Sequence, residues 1–372
     1  MSIKVIISGG GTGGHIFPAV SIANALKRIE PAAEILFVGA NGRMEMEKVP
    51  AAGYKIIGLD IQGFQRKNLL KNILLPYKIL KSVWRARGVI KSFKPDVAVG
   101  VGGYASGPLL YAAGQLGIPY LIQEQNSYAG ITNKRLGGNA QKVCVAFEGM
   151  DKFFPAAKIM LTGNPVRKQS VDIAGKREEA LEFFSLSPDK KTVLITGGSL
   201  GAGTLNKSIQ AGLQKLISAD VQVIWQTGKY YYQSLRDQLG SEVHPNISLN
   251  EFLNRMDLAY AAADLIISRA GAGTIAELCV IGKPVILVPS PNVAEDHQTK
   301  NAAALVKNNA AVLMPDMEAE EKLVDTALQL LKDTDQLREL GKKISNLALP
   351  DADEVIAREV IKLSEERRKA KG

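Results

Sequence analysis

The chain has 372 residues, 46% of them apolar, which suffices to fill two cores of ordinary domain size. Lysine and arginine number 46 against 37 acids, a formal charge of +9 that favours an anionic partner. Two cysteines, Cys144 and Cys279, are too few for a disulfide framework and lack metal-ligand spacing; they read as buried thiols in a reducing compartment, and no secretory h-region opens the sequence.

The first predicted element is a strand over 3–8 that runs into Gly9-Gly10-Gly11-Thr12-Gly13-Gly14-His15 and a helix over 17–29. A strand, a glycine turn and a helix N-terminus present unpaired N–H groups and a positive dipole end to a phosphate. Strand-like runs follow at 34–39, 54–59, 96–101, 118–123 and 142–146, with helices at 43–52 and 68–93 among them. Residues 97–123 carry no charge over 27 positions, long enough to cross a bilayer. Six glycines and two prolines break that run into strand, turn, helix and strand, the pattern of a buried parallel-sheet unit. The segment 161–167, Leu-Thr-Gly-Asn-Pro-Val-Arg, reads as the exit from this unit.

The second half repeats the scheme, with strands near 192–196, 221–227, 246–249, 264–268, 284–288 and 311–313 and a basic helix over about 353–370. Alternating strands and helices imply parallel sheets with right-handed crossovers, and ligands at the carboxyl ends of the strands. The expected division is therefore 1–165 and 166–352, with the final helix available to pack back on the first domain. A second glycine turn, Gly197-Gly198-Ser199-Leu200-Gly201-Ala202-Gly203, follows the strand at 192–196. Two such turns half a chain apart suggest two doubly wound domains facing one cleft, with a nucleotide or pyrophosphate ligand.

The turns admit several readings. Gly9, Gly11 and Gly14 satisfy G-x-G-x-x-G, but the second strand ends in Gly39-Ala40-Asn41, without the carboxylate that a dinucleotide ribose wants. Gly197-Gly198-Ser199-Leu200-Gly201 satisfies G-x-S-x-G, with His244 and His297 downstream, yet a hydrolase leaves the turn at residue 9 unexplained. A nucleotide-sugar transferase accounts for both. It also accounts for a third strand and turn, Asp264 to Gly271, leading into a helix that carries Glu277, placed to accept from a ribose diol.

From Arg66 to Lys94 there are nine cations and no acid, equal to the whole formal excess. Leu69, Ile73, Tyr77, Leu80 and Trp84 form a helical stripe; Lys67, Lys71, Lys78, Lys81 and Arg85 lie largely on the other side, and Leu74, Leu75 and Ile79 widen the apolar region around Pro76. Part of the stripe is expected to face the core; the rest suits an anionic membrane surface. No base-reading module accompanies the charge, so nucleic acid is not expected.

Six motifs stand in a fixed order: Gly10-Gly11-Thr12-Gly13-Gly14-His15, Gly102-Gly103-Tyr104, Glu124-Gln125-Asn126, Thr162-Gly163-Asn164-Pro165-Val166-Arg167, Gly197-Gly198-Ser199, and His297-Gln298 with Asn301-Ala302. Over essentially the whole chain this resembles the MurG family of bacterial transferases, which add N-acetylglucosamine to undecaprenyl-pyrophosphoryl-N-acetylmuramoyl-pentapeptide. The resemblance implies an α/β GT-B fold, two Rossmann-like domains facing a central cleft, an inverting transfer forming a β-1,4 link, no cofactor, and a peripheral place on the cytoplasmic face of the bacterial plasma membrane. It puts UDP-N-acetylglucosamine mainly on the second domain: Ser199 at the diphosphate, the Leu253 backbone at the uracil, Glu277 at the ribose, and Ala272 and Gln298 at the diphosphate or sugar. Arg167, Asn126 and Thr12-Gly13-Gly14 would approach the sugar from the first domain. Gln123, Leu200 and Leu253 depart from residues frequent in the family, which makes a catalytic role at position 123 unexpected. A UDP-sugar epimerase of the same architecture is the alternative enzyme, and a nucleotide-sensing protein without turnover the alternative outside enzymes.

Attack on an anomeric carbon needs a base for the acceptor hydroxyl and stabilisation of the departing UDP. His15 is the candidate base, at a helix N-terminus whose dipole disfavours imidazolium; capping the helix or binding the acceptor pyrophosphate are its other roles. The helix after Gly197, with Arg269, would supply positive potential to the leaving group without a metal. Asp351-Ala352-Asp353 matches a metal-binding Asp-x-Asp on paper but is expected to cap the last helix.

Overall fold

The computed structural model describes residues 2–63, 73–240 and 243–370. Two compact units emerge, Met1–Val166 with Pro350–Gly372, and Arg167–Leu349.

In the first unit seven strands form one all-parallel sheet: β1 (Lys4–Gly9), β2 (Glu34–Ala40), β3 (Lys55–Leu59), β4 (Val97–Gly102), β5 (Tyr120–Glu124), β6 (Lys142–Val145) and β7 (Ile159–Leu161), in spatial order β3-β2-β1-β4-β5-β6-β7. Alternation along β1 sorts its side chains: Ile6 joins the core beneath the helices Leu75–Phe93 and Ser106–Gln115, while Val5 and Ile7 join the core beneath Gly13–Ile29. With both faces covered, near-continuous Val/Ile runs are what such strands require. The uncharged run 97–123 is β4, a helix and β5. No described helix is long and apolar enough to cross a membrane.

The last helix, Ala352–Lys369, belongs to this unit. Ile356, Ala357, Val360 and Leu363 enter the same core as Val5 and Ile7. Its ends are tied down by Asp353 accepting from Arg28 at 2.7 Å and by Arg368 donating to Asp96 and to the Ser2 carbonyl, each at 2.6 Å.

The second unit holds β8 (Thr192–Thr196), β9 (Gln222–Gln226), β10 (Ile247–Asn250), β11 (Leu265–Ser268), β12 (Val285–Leu287) and β13 (Val312–Leu313), all parallel, ordered β10-β9-β8-β11-β12-β13. Both sheets therefore reverse direction beside their first strand, between β1 and β4 and between β8 and β11. Ligands of doubly wound sheets bind at that switch point. All four glycine-rich turns leave these four strands.

Candidate active site

At the first switch point the turns after β1 and β4 touch. Gly11 has φ of 85° and Gly103 of 91°, and a Cβ on Gly103 would stand 2.3 Å from the Gly10 carbonyl oxygen. Only glycine permits that approach. The helix Gly13–Ile29 opens right after Thr12, so the Thr12-Gly13-Gly14 turn lies at its N-terminus, with Thr12 and Gly14 exposed, and His15 in its first turn. The ring leans on Gly102, where an added Cβ would be 2.8 Å from Nε2. His15 Nδ1 lies 3.1 Å from the Gly10 carbonyl oxygen and 3.3 Å from Thr12 Oγ1. A carbonyl only accepts, which assigns the hydrogen to Nδ1 and makes Nε2 the basic nitrogen of the neutral ring.

The acid missing at the end of β2 in sequence is supplied five residues after Ala40. Glu45, 1% exposed, accepts from the Gly11 N–H at 2.8 Å through Oε2 and from the Ala40 N–H at 3.0 Å through Oε1. It sits behind the turn, against backbone, rather than open to a ribose. Nothing in the linear sequence marks it, because its partners are amides brought near only by folding.

At the end of β5 another buried carboxylate does similar work. Glu124 accepts from the N–H groups of Asn126 and Gly130, each at 3.0 Å, and from Asn133 Nδ2 at 2.8 Å, which fixes the loop presenting Asn126. Gln123 is structural: it donates to Asn164 Oδ1 at 2.8 Å, Asn164 donates to the Gln125 carbonyl at 3.0 Å, and Gln125 donates to the Val101 carbonyl at 2.6 Å.

In the second unit Gly198 and Gly201 have φ of 82° and 85°, and a Cβ on Gly201 would lie 2.1 Å from the Thr227 carbonyl oxygen. Ser199 is exposed on this turn, ahead of the helix Gly203–Ser218, whose first turn contains no acid. The other switch-point helix, Ala272–Ile281, begins at Ala272 and carries Glu277. Glu277 Oε2 accepts from the Tyr260 hydroxyl at 3.1 Å, and Oε1 lies 3.4 Å from Arg167 Nε and Nη2. Burial raises the Glu277 carboxyl above the usual range, with Arg167 and Tyr260 pulling the other way. Two residues chosen separately in sequence thus meet. Arg167 is the first residue of the second unit, whereas the resemblance groups it with the residues that approach the sugar from the first domain.

Arg269, Leu253 and Gln298 already have partners within the protein. Arg269 is not aimed at a leaving group: its guanidinium donates to the carbonyls of Val288 and Pro289 at 3.0 and 3.2 Å and pairs with Asp316. The Leu253 N–H is engaged by Gln226 Oε1 at 3.1 Å, so a uracil edge would meet the Leu253 carbonyl or displace Gln226. Gln298 accepts from the Ser290 N–H at 2.8 Å at the start of the helix His297–Lys307, pinning the loop after β12. Asp351 holds the N-cap position of the last helix without a side-chain capping bond, and Asp353 is buried against Arg28. His244 Nδ1 accepts from the Asn246 N–H within its own turn.

The basic helix also differs from expectation. Leu69, Lys67 and Lys71 lie outside the described residues. From 73 onward the stripe faces solvent: Ile73, Leu80 and Trp84 are 70%, 70% and 78% exposed, and Tyr77 is exposed too. The buried residues of this helix are Ser82, Ala86, Val89 and Ile90, toward its C-terminal end.

Two doubly wound parallel sheets, each with glycine turns opening onto helix N-termini at its switch point, are those of a nucleotide-sugar glycosyltransferase of GT-B fold. Residues 5–145 match the glycosyltransferase family 28 N-terminal domain and residues 192–356 the family 28 C-terminal domain. The chain is 58% identical over 368 residues to the UDP-N-acetylglucosamine–N-acetylmuramyl-(pentapeptide) pyrophosphoryl-undecaprenol N-acetylglucosamine transferase of Bacteroides fragilis, covering 98% of this chain and 97% of that one. It superposes on the crystal structure of Acinetobacter baumannii MurG with a TM-score of 0.81 at 30% identity, over 97% and 99% of the two chains. The chain belongs to glycosyltransferase family 28 and, within it, to the MurG transferases. A UDP-N-acetylglucosamine 2-epimerase matches with a TM-score of 0.64 at 17% identity over 97% and 96% of the chains, which shows a shared fold alone.

Proposed function

We infer that the chain moves N-acetylglucosamine from UDP-N-acetylglucosamine to the C4 hydroxyl of lipid-linked N-acetylmuramoyl-pentapeptide, forming a β-1,4 link for peptidoglycan. The observation that carries this is 58% identity along nearly the whole chain to a transferase named for that reaction. The epimerase alternative has only the fold in its favour. Incubation with radiolabelled UDP-N-acetylglucosamine and a lipid-linked muramoyl acceptor tests it. Label passing into the lipid fraction is the expected result, and epimerised UDP-sugar without transfer is the result that refutes it.

Inversion at the anomeric carbon needs one displacement, with a base on the face opposite the leaving group. In our reading His15 Nε2 takes the proton of the acceptor hydroxyl as it attacks. The second unit holds the donor: the Glu277 carboxylate accepts from the ribose hydroxyls, the Leu253 backbone meets the uracil, and Ser199 with the N–H groups of its turn receives the diphosphate. Ala272 and Gln298 line the diphosphate and sugar side, and Arg167, beside Glu277, adds positive charge there. Asn126 and the Thr12-Gly13-Gly14 turn orient the sugar and acceptor. Negative charge building on UDP is met by the N-terminal end of Gly203–Ser218, a preorganised dipole with no acid in its first turn.

The exposed stripe of Ile73, Tyr77, Leu80 and Trp84, beside Lys78, Lys81 and Arg85, supports docking on an anionic membrane surface, where the lipid-linked acceptor resides. In this reading the enzyme works peripherally, on the cytoplasmic face of the plasma membrane.

A further inference from the structure

The geometry points to Glu45 as the residue that positions and tunes His15, acting through a single peptide group. The inference deepens the reading of His15 as the base and rests on it. Between Gly10 and Gly11 runs one peptide unit with both ends occupied. Its N–H donates to Glu45 Oε2 at 2.8 Å, and its carbonyl oxygen accepts from His15 Nδ1 at 3.1 Å. Carboxylate, peptide and imidazole stand in series.

The side chain is built in. Glu45 is 1% exposed, and its second oxygen is fixed to the end of β2 by the Ala40 N–H at 3.0 Å. Two glycines leave room for it: a Cβ on Gly10 would fall 2.2 Å from Oε1, and a Cβ on Gly39 2.6 Å from Cγ. The Gly11 amide is therefore turned to a protein carboxylate, so this N–H serves the turn's own geometry.

Hydrogen bonds in series polarise one another, most of all where water is excluded. Negative charge at the N–H end of the Gly10–Gly11 peptide makes its carbonyl oxygen a stronger acceptor for the imidazole Nδ1–H. That holds the tautomer with Nε2 basic and stabilises the imidazolium formed when the acceptor hydroxyl gives up its proton. A buried aspartate does the same by direct contact in serine proteases; here the effect passes through one peptide and is weaker. It also opposes the helix N-terminus, which disfavours the imidazolium. Other groups around the turn are Thr12 Oγ1, 3.3 Å from Nδ1, Tyr104 from the loop after β4, and Arg43, whose guanidinium lies 5.8 Å from the Tyr104 ring. Glu45 touches no reacting atom, so it is a positioning residue.

The test is a pH profile with a spectroscopic partner. Glu45→Gln keeps the size but offers one acceptor oxygen where two N–H groups need two. We expect kcat to fall about tenfold and the acid limb of kcat/KM to move to lower pH by roughly half a unit or more, with donor KM near wild type. Glu45→Asp, which keeps the charge, should hold the limb nearer its wild-type position. With only three histidines in the chain, ¹⁵N titration should show one ring hydrogenated at Nδ1 in the wild type, and a lower pKa with mixed tautomers in Glu45→Gln. His15→Ala separates the two readings: an acid limb that survives there refutes His15 as the base. A limb that vanishes in His15→Ala but stays in place in Glu45→Gln, with an unmoved ¹⁵N titration, overturns the role of Glu45. Should Glu45→Gln fail to fold, the wild-type spectrum decides, and hydrogen on His15 Nε2 overturns the proposal.

Discussion

Glu277 is gripped by Tyr260 at 3.1 Å and more loosely by Arg167 at 3.4 Å, so a ribose diol can exchange with the looser partner. Each hydrogen bond to a carboxylate is worth about 1.5–3 kcal/mol. Glu277→Ala should therefore raise the donor KM at least tenfold while kcat changes little, the mark of binding made equally in ground and transition states. Steady-state kinetics with varied UDP-N-acetylglucosamine measure it. Because burial raises the carboxyl, the ionised acceptor is lost at a higher pH than for an ordinary glutamate. Donor KM should climb on acidification before ordinary carboxylates titrate, and Glu277→Ala should flatten that rise. Glu277 was legible in the sequence because it follows a strand and a small-residue turn. Glu124 showed only as part of the Glu124-Gln125-Asn126 motif, and Glu45 not at all, since a buried carboxylate that binds only backbone leaves no periodicity or spacing behind.

Twelve of the strands were visible as short Val/Ile/Leu runs between breakers, because a parallel sheet covered on both faces demands them. The exception, β7, lies at a sheet edge and runs straight into Gly163-Asn164-Pro165, so its last residues read as the exit from the unit. The helix Leu75–Phe93 was legible as amphipathic, yet its hydrophobic side was partly assigned to the core; the core instead takes Ser82, Ala86, Val89 and Ile90. Pro76 falls in the first turn of the described helix, where a missing N–H is harmless. Each cation near an anionic surface contributes about 1 kcal/mol. Replacing Lys71, Lys78, Lys81 and Arg85 with glutamine should cut sedimentation with anionic vesicles sharply and leave turnover on a short-chain, water-soluble acceptor nearly intact. Binding that survives the change, or turnover that collapses with it, rules out membrane docking. The helix Gly203–Ser218 carries the leaving-group argument, so transfer should persist in excess EDTA. Full loss restored by Mg²⁺ or Mn²⁺ would move that stabilisation to a metal.

At the scale of the whole molecule, the helix Ala352–Lys369 completes the unit in which the chain started. Ile356 is fully buried in the core shared with Val5 and Ile7, so Ile356→Ala should cost about 2–5 kcal/mol. Hydrogen exchange should quicken in β1 and β4 with little change in β8, and equal acceleration in both sheets would contradict the division into units. The same return of the chain sets a timetable on the ribosome. Residues 167–349 are contiguous and can fold as soon as they emerge, whereas the earlier-made unit waits for the last helix. At typical synthesis rates of about 5–20 residues per second, that wait lasts roughly 10–40 s. For that interval the nascent sheet holds an apolar face that only its own unborn segment can close, so a slow or truncated ending endangers the first domain more than the second.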